Sequence, residues 1–168
     1  AVGTGMSRRS FPSPLSLHVF DDSHLFALDH VDGYTLKDVT DMHTNLCKDM
    51  DEPVIMFYTI EMLKMLEALH AAKIVHGKFN EESMTLRDDV YDGALNIVYS
   101  PIGKGGWSTK GLRLTNFDHS VDFERMPAGQ TLTCRPGQCD NMLEYSSWSY
   151  EIDYHGLCST AHRLLHRG

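Results

Sequence analysis

Ile74-Val75-His76-Gly77-Lys78-Phe79-Asn80-Glu81-Glu82-Ser83 is the stretch on which the fold turns. Two β-branched residues run into a His-Gly break, a polar loop follows, and Met84-Thr85-Leu86 resumes an apolar run. Upstream, Ile55, Tyr58, Thr59, Met62, Leu63, Leu66 and Leu69 recur at three- and four-residue steps, which predicts a helix from Pro53 to Ala72. Asp51 offers an N-cap oxygen and Pro53 suits the first turn. Apolar residues nearly encircle this segment, so a buried central helix is expected; Met56, Met62 and Met65 read as core rather than as a soft binding face. Downstream, Leu112-Arg113-Leu114-Thr115-Asn116-Phe117 alternates as a strand does. The order is therefore long helix, polar loop, short strand pair.

Farther out, Pro12 and Pro14 exclude helix from an extended lead-in over 1–16. Leu15–Phe20 and Leu25–Asp29, separated by Asp21-Asp22-Ser23-His24, predict a hairpin. Thr35 can cap a helix from Leu36 to Leu46. Residues 87–111 read as a loop excursion and Met126–Cys139 as irregular chain, while Trp148–Leu165 is a second helical candidate. Gly3-Thr4-Gly5 is a lone G-x-G. Gly103-Lys104-Gly105-Gly106 has its lysine before the glycines, the reverse of a phosphate-binding loop. Trp107 in that loop is a candidate partner contact, because aromatic residues dominate interface energetics; the competing reading is that it tucks back onto the domain.

Bulk properties remove several function classes. With 168 residues and 42% apolar residues the chain suits one compact domain. A formal charge of -8 disfavours a nucleic-acid backbone, and Arg8-Arg9 is too short a basic cluster to change that. No apolar run approaches the roughly 20 residues of a membrane span, and no signal-peptide pattern opens the chain. The four cysteines form no C-x-x-C pair; Cys134 and Cys139 read as free thiols of an intracellular protein rather than a metal half-site. The ten histidines are read as holding no H-x-x-x-H or H-E-x-x-H grouping, so no metal is assigned.

The order of elements resembles the large lobe of the protein-kinase fold, in which a central helix precedes the H-R-D loop, a short strand and the D-F-G turn. It is most similar to the spindle-checkpoint Bub kinases and their pseudokinase relatives, which carry H-G-D-I-K-P-D-N where this chain has His76–Ser83. Their Q-C-V-E-M-L and W-N-Y-Q-I-D-Y-F-G segments are similar to Gln138–Leu143 and Trp148–Gly156, and their F-P-x-G-T segment to Phe123–Thr131. The likeness spans Phe20 to Gly168. It implies an α+β, protein-kinase-like fold, mainly the helical large lobe with a remnant small-lobe β-hairpin. Residues 1–168 would form a single kinase-like (pseudokinase) domain, with 1–34 the small-lobe remnant and hinge and 35–168 the large lobe.

The resemblance also marks which chemistry is missing. The catalytic Asp matches Lys78, a cation that cannot accept a hydroxyl proton, and loss of a positioned base costs about 10²–10⁴ in rate. The loop Lys matches Asn80, the metal-binding Asn matches Ser83, the D-F-G Asp matches Asn116 and its Gly matches Asp118; the A-P-E Glu matches Asn141. No V-A-I-K lysine precedes the first strand. The degenerate positions are thus Lys78, Asn80, Ser83 and Asn116. His76, Gly77, Asp153 and Gly156 match residues that hold the family's fold: the Asp matching Asp153 accepts backbone N–H bonds from the His-Gly turn. The resemblance implies an inactive scaffold at the kinetochore, in the nucleus, acting in chromosome segregation through protein partners, with no cofactor, nucleic acid or membrane and with ATP binding not expected. The alternative is a divergent active Ser/Thr kinase or ATP-binding switch. An unrelated α+β domain would instead leave Asp153 exposed and far from His76.

Overall fold

The computed structural model describes residues 10–29, 33–88, 93–96, 98–100, 104–127, 132–133 and 147–166. Strands β1 (Pro14–Val19) and β2 (His24–Leu28) form the expected antiparallel hairpin, in the register Leu17 opposite Phe26. Leu15, Leu17, Val19, Leu25 and Phe26 are all exposed, so both of its faces present apolar surface. Helix α1 (Leu36–Asn45) starts where Thr35 predicts. Thr35 and Asp38 cap each other reciprocally: the Asp38 amide donates to the Thr35 hydroxyl oxygen and the Thr35 amide to the Asp38 carboxylate.

Helix α2 (Glu52–Ala71) is the long central helix. Asp51 stands at its N-cap position, but its side chain makes no capping bond; Pro53 in the first turn sets the start. Burial is one-sided rather than all round. Ile55, Met62, Met65, Leu66 and Leu69 enter the core, while Val54, Met56 and Leu63 are exposed. An apolar pattern around the whole helix does not reveal which face other elements cover.

The chain leaves α2 through Lys73 at φ +61 into β3 (Ile74–Val75), which pairs with β6 (Val121–Asp122). After the loop, β4 (Met84–Asp88) pairs antiparallel with β5 (Lys110–Leu114), with Met84 opposite Leu114. The predicted strand over 112–117 therefore begins earlier and stops at Leu114, because Asn116 turns left-handed at φ +57. A bridge between Thr35 and Thr85 and a hydrogen bond from the Leu86 amide to the Tyr34 carbonyl fix the start of α1 on this ladder. β7 (Leu132–Thr133) pairs with β8 (Ser147–Trp148), and α3 (Glu151–His166) follows, so Trp148 is strand rather than helix. Leu157 and Leu164 of α3 join Leu36, Phe79, Met84, Leu112 and Leu114 in one core around α2. No helix among the described residues is long and apolar enough to cross a membrane. Gly3–Gly5, Arg8-Arg9, Gly103, most of Met126–Cys139 including both its cysteines, and Gln138–Leu143 with Asn141 lie outside the described residues.

Candidate functional site

The loop of His76 to Ser83 is held from beneath by one carboxylate. Asp153, in the first turn of α3, is wholly buried. Its Oδ2 accepts the His76 amide and its Oδ1 the Gly77 amide, both at 2.9 Å. His70 Nε2, on the last turn of α2, lies 3.0 Å from the same Oδ2. A buried carboxylate so surrounded has its lone pairs satisfied and ties two helices to one loop. The exposed, distant Asp153 of an unrelated fold is thereby excluded.

Gly77 and Gly156 are required by close approach. Gly77 has φ +78, and a Cβ there would stand 2.4 Å from the His119 carbonyl oxygen. A Cβ on Gly156 would stand 2.0 Å from the Phe79 carbonyl oxygen, so α3 rests directly on the loop's backbone. His76 is wholly buried; its Nε2 lies 3.0 Å from the Thr115 carbonyl oxygen, and its ring meets Phe79 and Phe117 edge-on.

Burial pushes the His76 imidazole below its ordinary pKa of 6.5, the bond to the Thr115 carbonyl and the charge of Asp153 opposing in part. The unfolded chain then binds more protons than the folded one just below pH 6.5, so His76 favours folding above that value and loses this contribution as the pH falls through the window below it. Denaturant melts between pH 7.5 and 5 should show stability declining over this window, and His76→Phe should flatten the decline. An unchanged slope in the variant would remove His76 as its source.

Three of the four degenerate positions, Lys78, Asn80 and Ser83, turn their side chains to contacts within the loop itself. Asn80 Oδ1 accepts the amides of Glu82 and Ser83, capping a single 3-10 turn over Glu81–Ser83. The buried Ser83 hydroxyl donates to the Lys78 carbonyl at 2.8 Å, with Asn80 Oδ1 at 3.1 Å beside it. The Ser83 carbonyl in turn accepts the Thr115 amide at 2.7 Å, so Asn116 follows directly on Ser83's partner. Lys78 Nζ stands 3.7 Å from Glu82 Oε2, a half-exposed pair of little energetic weight. Asn116 is exposed, and its left-handed backbone is one that asparagine tolerates better than most residues.

Trp107 is not the exposed anchor that an interface reading needs. Its indole is half-buried, packs on Phe57 and Tyr99, and its Nε1 lies 3.0 Å from the carbonyl oxygens of Asn96 and Val98. The excursion between β4 and β5 thus folds onto α2. Sequence reasoning passed over His70, and also a second link between loop and α3, in which Glu81 accepts from Arg163 at 3.0 Å and faces Thr160. The signal was available in part: Asp153, Gly156, Thr160 and Arg163 recur at three- and four-residue steps, marking one face of α3.

A central helix, a His-Gly loop seated on a buried Asp of the last helix, and a strand pair leading to an Asn-Phe-Asp turn together make a kinase-like α+β fold. No protein-family model matches the chain. The crystal structure of the BubR1 kinase domain superposes with a TM-score of 0.68 over 97% of this chain and 47% of that one, at 23% identity, which shows the fold. In sequence, the chain is 33% identical over 95% of its length to the mitotic checkpoint serine/threonine-protein kinase BUB1 of Arabidopsis thaliana. It is 36% identical over 89% of its length to the spindle assembly checkpoint serine/threonine-protein kinase bub1 of Schizosaccharomyces pombe. The chain spans 31% and 15% of these two relatives. It is a kinase-like domain that resembles the Bub kinases of the spindle checkpoint.

Proposed function

We propose that this domain transfers no phosphate and serves as a protein-binding scaffold of the spindle checkpoint, at the kinetochore, during chromosome segregation. The observation that carries this reading is the use made of the loop's polar groups. The Ser83 hydroxyl and the Asn80 amide oxygen, at positions where a kinase loop keeps a metal ligand and a lysine, are spent inside the loop. The catalytic base is replaced by Lys78, whose ammonium faces Glu82. Serine/threonine kinase activity stands in the names of the relatives, and the reading departs from them at these positions and at Asn116, which matches the D-F-G Asp. The contacts that hold the loop in place, by contrast, are complete.

A thermal-shift series with ATP and Mg²⁺ tests the reading. A ligand at a hundred times its Kd stabilises a protein by about 2.7 kcal/mol, which raises Tm by roughly 5–10 °C for a chain of this size. A flat response up to millimolar nucleotide is expected. A saturable rise, or phosphate transfer to any substrate that is lost on Lys78→Ala, would favour a divergent kinase or ATP-binding switch instead.

A further inference from the structure

The last turn of α3 carries His162 and His166, four residues apart and both exposed. Their rings are 4.6 Å apart between centroids, inclined at 49°. Side chains four apart on a helix share one face, so both imidazoles can reach a single ion. Zinc binds imidazole nitrogen at about 2.0–2.1 Å in tetrahedral geometry, which sets the centroids of two rings on one ion about 5 Å apart. The observed separation is close to that, so a small adjustment of the two rings admits an ion. The chain's formal charge of -8 favours a bound cation.

We propose that His162 and His166 form a two-imidazole site for a divalent transition-metal ion of the zinc type. The described residues contain no group of three or more side chains able to hold one ion, so the protein supplies two ligands and water or an external donor supplies the rest. The sequence expectation of no H-x-x-x-H pair is corrected: His162-Arg163-Leu164-Leu165-His166 is one. The site lies apart from the His76 loop and stands or falls separately from the scaffold reading.

Calorimetric titration of the untagged chain with zinc chloride tests it. The wild type should show a strongest site of one ion per chain. His162→Ala and His166→Ala should each weaken it at least about tenfold, since loss of even an outer-shell partner costs 10–100-fold. Both side chains are exposed, so the melting curves of these variants without metal should match the wild type. Cys158, exposed one turn before His162, provides the control: Cys158→Ser should bind zinc as the wild type does. Absence of binding in the wild type, or unchanged binding in either histidine variant, would overturn the proposal. So would loss in Cys158→Ser, which would assign the ion to Cys158 and His162.

Discussion

Asp153→Ala should lower the melting temperature by about 10 °C, since each kcal/mol lost shifts Tm by roughly 2–4 °C at this size. The carboxylate accepts two backbone amides of the His-Gly turn, and no water reaches a side chain that is wholly buried. Removing it strands both donors. Each unsatisfied buried donor costs about 1–3 kcal/mol, so the loss is on the order of 2–6 kcal/mol. Natural domains hold only about 5–15 kcal/mol in all. Asp153→Asn keeps one acceptor but turns its amide nitrogen toward the other N–H, so its melt should fall between alanine and wild type. His70→Phe, which removes the third partner but preserves packing against Tyr150 and Tyr154, should cost less than either. Circular-dichroism melts of the three variants measure the order directly. A wild-type melt for Asp153→Ala would show that the loop is held by something other than this carboxylate.

That carboxylate is also the clearest example of what a reader of the residues alone can find. Asp153 and His76 are 77 residues apart, and no periodicity joins them; the His-Gly and Ile-Asp-Tyr contexts did, through their likeness to one family. Local rules served where the signal was local. Thr35 with Asp38 three residues on is a capping pattern, and it caps. The long helix appeared within a residue of its predicted ends because its pattern runs over five turns. The failures have physical reasons too. Strands β3, β6, β7 and β8 are two residues each, too short to show a period of two. Asp51 has both the chemistry and the extended backbone of a cap, yet its side chain makes no capping bond. Which face of α2 is covered depends on elements far away in sequence, so Met56 and Leu63 look like core and are exposed. Trp107 is the reverse case, a residue in a glycine-rich loop that looks exposed and is folded onto Phe57.

Gly156→Ala separates propensity from packing, because the two predict opposite signs. Gly156 lies inside α3, where alanine is favoured over glycine by about 1 kcal/mol. Propensity alone therefore predicts a more stable protein. The new methyl, however, would stand 2.0 Å from the Phe79 carbonyl oxygen and 3.0 Å from its carbon. Both are backbone atoms, which cannot swing aside as a side chain would. The loop is fixed on its other side by Asn80 and Ser83, so α3 must shift away from it instead. Overpacking a well-filled site costs about 1–3 kcal/mol, occasionally more, even where side chains can rearrange. The net result should be a melting temperature several degrees below wild type, with the helix content of α3 retained. A shift of α3 also lengthens the bonds from Asp153 to His76 and Gly77, since the carboxylate rides on the same turn. Gly156→Ala and Asp153→Ala should therefore be less than additive, the second change removing contacts that the first has already loosened. Full additivity, or a melt at or above wild type for Gly156→Ala, would mean that α3 and the loop are not in direct contact and that the carboxylate works without it.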